Sequence, residues 1–155
     1  MENTLEVRIT DRTNKDFLTL VRLLDAELDE ANRETHQLCN PYNQVDSVLA
    51  VVLVLVEGAS VACGACREFN ADTLELKRIF VKKEYRGRGL SKRIIAELES
   101  IAKVRGYSAT ILETGRHLHA AMALYIKSNY KVIPNYGPYK DIENSVCMKK
   151  TLIDK

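Results

Sequence analysis

Apolar and polar residues alternate from Leu5 to Thr10, the period of an edge or half-buried strand. The period then changes. Phe17, Leu20, Val21, Leu24 and Leu28 recur at helical spacing, and Thr13 with Asp16 three residues on has the form of a capping box that would start this helix. From Glu30 to Asp46 the pattern weakens into a polar stretch with Asn40-Pro41 near its end, which fits a short second helix and an ordered loop equally well. Val48 to Val56 is β-branched and almost wholly apolar, as a strand covered on both faces would be. Glu57-Gly58 turns it into a second strand, Ser60 to Phe69, and Asn70 to Asp72 turn into a third, Leu74 to Val81.

Beyond these, Ile94, Ile95, Leu98, Ile101 and Ala102 keep helical spacing until Gly106, a natural C-terminal cap. Ala109 to Glu113 reads as a short strand, and Leu118, Ala121, Met122 and Tyr125 mark a further helix face. Lys131 to Pro134 and Val146 to Leu152 read as closing strands around a loop containing Gly-Pro. The order is strand, helix, three strands, helix, strand, helix, two strands. No repeat or linker interrupts it, so residues 1–155 are expected to form one α+β domain around one sheet.

Composition narrows the partners. The chain has 155 residues, 46% hydrophobic and 28% charged, with a formal net charge of +2, which is neither the polar excess of a disordered chain nor the basicity of a dedicated nucleic-acid binder. The longest apolar run, Val48 to Val56, is about half a membrane span, and the N-terminus lacks the pattern of a signal peptide. A soluble cytoplasmic protein with reduced thiols is expected. Cys63 and Cys66 lie three apart in a strand, on opposite faces, which favours small core residues over a shared metal or redox pair.

One stretch calls for a ligand. In "EYRGRGLSKR", Glu84 to Arg93, two glycines and four basic residues lead directly into a helix. Backbone amides of a tight turn, together with the unpaired amides of a helix's first turn, form an anion site, and glycine lets the chain approach closely. It is not a P-loop, and it is only the first half of a dinucleotide fingerprint.

The context decides what the pattern resembles. Arg86-Gly87-Arg88-Gly89-Leu90-Ser91 follows a strand and opens an amphipathic helix, and with "LKRIFVKKEYRGRG", "LETG" and "ALYIKSNY" the chain resembles the GNAT superfamily of N-acetyltransferases. The resemblance runs from about Leu5 to Leu152 and is most specific between Glu75 and Tyr130. It implies a mostly antiparallel central sheet with helices on both faces. It also implies acetyl-CoA as cosubstrate, with no metal, bound by residues 86 to 91 and by the backbone of Ile79, Phe80 and Val81, along which the pantetheine arm adds like a strand. Three positions depart from the family pattern: Ser91 ends the Gly-x-Gly/Ala motif, Leu118 stands where an Asn often contacts the cofactor, and Asn129 replaces a Gly before Tyr130. Asn tolerates left-handed backbone, and His117 or His119 is either a substitute contact or an exposed or capping side chain.

Acetyl transfer to an amine requires the amine's lone pair, yet at pH 7 an alkyl ammonium is about one part in 2,500 deprotonated, a cost near 4.6 kcal/mol. By resemblance Glu75 is the general-base candidate, acting through water or with a raised pKa; the alternative is an exposed strand Glu paired with Lys77. Tyr125 matches the tyrosine that reaches the cofactor sulfur, where a hydroxyl of pKa near 10 protonates a thiolate at about 2 kcal/mol or donates a hydrogen bond to it. By spacing alone it is equally a core aromatic. The acceptor, a small-molecule, amino-acid or peptide amine, is expected between Glu30–Asp46 and "PNYGPYKDIENS", walled by Tyr42, Tyr136 and Tyr139. Two other readings are a CoA-binding regulator without turnover and, on the basic turn, a nucleic-acid patch; the modest charge disfavours the second. Homodimers are common in the superfamily.

Overall fold

The computed structural model describes residues 4–39 and 47–153. Seven strands form one sheet: β1 (Leu5–Thr10), β2 (Ala50–Val56), β3 (Ala59–Asn70), β4 (Thr73–Val81), β5 (Ala109–Gly115), β6 (Lys131–Ile133) and β7 (Ser145–Thr151). Three helices accompany them, α1 (Lys15–Cys39), α2 (Leu90–Val104) and α3 (His119–Lys127), in the order the periodicity predicts. The spatial order of the strands is β1-β2-β3-β4-β5-β7-β6. Among the described residues, only β4 and β5 pair in parallel, as the helical crossover between them requires.

Alternation of side chains along the strands divides the core in two. Phe17, Leu20 and Val21 of α1 cover one face with Val51, Leu53 and Cys63, while α2 covers the other with Val52, Val54 and Cys66. Cys63 and Cys66 thus lie on opposite faces, as buried free thiols. Gly64 explains how closely α2 approaches: a Cβ there would stand 2.4 Å from the Ile94 side chain. Among the described residues, no helix is long and apolar enough to cross a membrane.

Two local expectations are corrected. The N-cap of α1 is Asn14, whose Oδ1 accepts the Phe17 amide at 3.0 Å; Thr13 instead turns back to Asp11, and Asp16 accepts from Ser60 at 2.7 Å. The helix also runs on to Cys39, because no Gly or Pro interrupts the chain before Asn40-Pro41 and the polar residues from 30 onward are mostly good helix formers. Tyr42 lies outside the described residues.

Candidate active site

The two parallel central strands part company early. β4 and β5 pair only through Thr73/Ala109, Leu74/Thr110 and Glu75/Ile111, although each strand continues beyond that point. Beyond Glu75 the edge of β4 that faces away from β3 therefore opens onto a cleft between α1 and α3, which β4 lines from Glu75 to Ile79. Ile79 lines this cleft with Leu24 and Leu28 of α1, Leu118 at the N-cap of α3, Ala121 and Tyr125 within it, and the polar residues Glu75, Lys77, Arg78, Glu113, His117 and Tyr139.

At its far end β4 leads through a 3-10 turn, residues 83–85, into the basic loop. Gly87 and Gly89 both hold left-handed backbone, with φ of 81° and 79°, and Gly89 is the N-cap of α2. Among the described residues, no amide from Gly87 to Ser91 donates to a backbone carbonyl. The bend is also open, since a Cβ on either glycine would meet nothing within 4 Å. Arg86 does not fill it: its Nε donates to the Val81 carbonyl at 2.9 Å, its Nη2 pairs with Glu27 at 2.6 Å, and the guanidinium lies over Phe80. Arg88 lies over the ring of Tyr85. Free amides on a glycine-built bend at a helix start fit a diphosphate, and the open β4 edge beside it fits an amide-bearing arm.

Glu75 is 1% exposed, which replaces the picture of an exposed strand residue. Its Oε1 accepts from Arg67 at 2.6 Å with Lys77 at 3.9 Å, and its Oε2 accepts from the Tyr136 hydroxyl at 2.6 Å. Burial, with the Glu75 carboxylate beside it, pushes the Tyr136 hydroxyl far up. The Lys77 ammonium donates to the Tyr139 hydroxyl at 2.9 Å, and burial lowers its pKa. The loop between β6 and β7 is thereby anchored to β4 through both tyrosines, while Asn135 Nδ2 ties the loop's own carbonyls together. Tyr139 lines the cleft; Tyr136 packs its ring edge against Phe69 and Tyr139.

Tyr125 lies across the cleft on α3, 9% exposed and edge-on to Tyr130. Burial, and after it the Glu113 carboxylate, pushes its hydroxyl up to about 12. Glu113 is held by the Ser145 hydroxyl at 2.6 Å, and its own pKa rises with burial. His117, not the exposed His119, belongs to the cleft: its Nδ1 is 2.6 Å from Asn144 Nδ2, and its Nε2 is buried without a partner among the described residues. Asn129 holds a φ of 74°, the left-handed state its replacement of Gly requires. Sequence reasoning missed Arg78, Glu113 and Asn144. Only Glu113 left a signal, as the acidic residue of a short strand reaching the splay.

The Acetyltransferase (GNAT) family model matches residues 15–130. The chain belongs to the GNAT acetyltransferase family. The IAA acetyltransferase of Azospirillum brasilense is 34% identical over 96 residues, 61% of this chain and 63% of that protein, so the match spans less than two thirds of the relative. A Klebsiella pneumoniae protein assigned as an acyl-CoA N-acyltransferase superposes with a TM-score of 0.77 at 30% identity, covering 97% of this chain and 99% of its own. The PaiA N-acetyltransferase of Thermoplasma acidophilum, solved in complex with coenzyme A, shares the GNAT fold at 18% identity and a TM-score of 0.70, over 96% and 98% of the two chains.

Proposed function

We propose that this GNAT protein is an acetyl-CoA-dependent N-acetyltransferase that acetylates a primary amine of a small molecule, amino acid or peptide by direct attack in a ternary complex. The observation that carries the reading is the continuity of three features on one strand: the amide-lined bend at residues 86–91, the unpaired edge of β4, and the cleft holding Glu75 and Tyr125. Bound acetyl-CoA supplies the activated acyl group. The loop amides hold its diphosphate, and the backbone of Ile79 and Phe80 orients its arm. The Val81 carbonyl is already engaged by Arg86.

Glu75 takes the amine's proton through water, since both carboxylate oxygens already accept short hydrogen bonds. Tyr125 donates to the sulfur. With its hydroxyl at about 12 and a free thiol near 8.5, full proton transfer to the thiolate is uphill by about 5 kcal/mol, so a hydrogen bond is the role that costs least.

The test is release of free CoA thiol across a panel of amines, by the wild type and by Glu75→Gln. Wild-type turnover with at least one amine class is expected, with kcat at pH 7 about 100-fold lower in the variant. Tight CoA binding with no thiol released from any amine would instead establish a regulator without turnover.

A further inference from the structure

Arg78 is held in two costly states at once. Its φ is 58°, in the left-handed region that a bulky residue rarely adopts. The cause is a bulge in β4: Lys77 faces Ala65 and Phe80 faces Cys63, three steps along β4 against two along β3. The Cys63 thiol donates to the Arg78 carbonyl at 3.3 Å and fastens the bulge. A glycine or asparagine would meet this backbone requirement with less strain.

The side chain is equally exacting. It is 6% exposed, its Nη1 pairs with Asp25 of α1 at 2.6 Å, and its Nε is buried with no hydrogen-bond partner among the described residues. A buried, unsatisfied donor on a cation is disfavoured unless a ligand completes it. Arg78 lines the cleft with Leu24, Leu28 and Tyr125, next to the strand segment along which the acyl carrier is proposed to lie. With Nη1 committed to Asp25, the Nε and Nη2 donors remain side by side on one edge of the plane. That edge matches the two oxygens of a carboxylate.

We infer that Arg78 receives a carboxylate of the acceptor, so that the substrate is an amine that also carries an acid group, such as an amino acid. The inference rests on the acetyltransferase reading above and narrows it: the acid end lies against Arg78, and the amino end faces the thioester.

The experiment compares a panel of amino acids with their carboxamides as acceptors, reading kcat/KM by thiol release. For the wild type, the best acid is expected to exceed its amide by tenfold or more, and in Arg78→Asn, whose side chain suits the left-handed backbone, the ratio should fall to near one. Equal use of acid and amide by the wild type, or a preference that survives in Arg78→Asn, would overturn the assignment. The wild-type comparison stands even if the variant fails to fold. If no amine is acetylated although CoA binds, the enzymatic reading fails by itself. The carboxylate site is then read from thermal stabilisation of the CoA-loaded protein: stabilisation by the acid alone supports it, and by neither or by both equally refutes it.

Discussion

Gly89→Val is expected to weaken CoA binding by about 10- to 100-fold while leaving the fold intact. The loss comes from the backbone and not from a clash, because a Cβ at this position would meet nothing within 4 Å. What valine cannot hold cheaply is the φ of 79°: left-handed backbone costs an L-residue about 1–2 kcal/mol, and a β-branched one more. The loop relieves that strain by leaving the left-handed state, which turns the amides on either side of Gly89 out of the cradle. Since Arg86 to Gly89 are exposed, little core packing depends on the change. Gly89→Asn, which tolerates the conformation, should lose only a few-fold. Arg88→Ala should lose less than Gly89→Val, because an exposed cation contributes under about 1 kcal/mol. Titration calorimetry with CoA ranks the three variants, and wild-type affinity in Gly89→Val would contradict the account.

Tyr125→Phe is expected to lower kcat by about 10²- to 10³-fold, the loss on deleting one preorganised donor aimed at developing negative charge. The fold should stay unchanged, because the hydroxyl has no hydrogen-bond partner among the described residues and the ring contact with Tyr130 survives the change. CoA affinity should fall far less than kcat, because the hydrogen bond to sulfur strengthens as negative charge develops there. The pH dependence supplies a second check. Burial raises the hydroxyl's pKa to about 12, so the protonated, donating form persists well above pH 7 and is lost only as pH rises through that value. The ratio of wild-type to variant kcat should therefore be flat from pH 7 to pH 10. A ratio that collapses toward pH 10 would show that the hydroxyl is not raised by burial, and a variant with full kcat would remove Tyr125 from the reaction.

How much of this was legible in the sequence depends on whether a feature is local. Strand and helix order is local, since the switch between a period of two and a period near 3.6 is written in consecutive residues, as at Ile9 and Phe17 or Phe80 and Ile94. The basic bend is local too, because two glycines and the start of an amphipathic helix fix where amides go unpaired. The splay is not local. Nothing within Thr73 to Val81 announces that β5 pairs with only three of these residues, for pairing belongs to two strands at once. The bulge at Arg78 was hidden for the same reason, and its strain is visible only against the register of β3. Whether Glu75 is buried or exposed stayed open in the sequence because its cover, Tyr136, lies 61 residues away on a loop that the sheet brings back. The first helix was read too short, since polar residues beyond Glu30 carry no apolar period even where the backbone remains helical.

The central claim is that the free amides between Gly87 and Ser91 hold the diphosphate of the acyl carrier. Amide proton and nitrogen chemical shifts of the labelled protein, followed as CoA is added, report on those groups directly. The account predicts that Gly87, Arg88, Gly89, Leu90 and Ser91 show the largest amide shifts of the chain, and that pantetheine, which lacks the diphosphate, leaves them in place. Saturation with CoA while these five resonances stay still would contradict it.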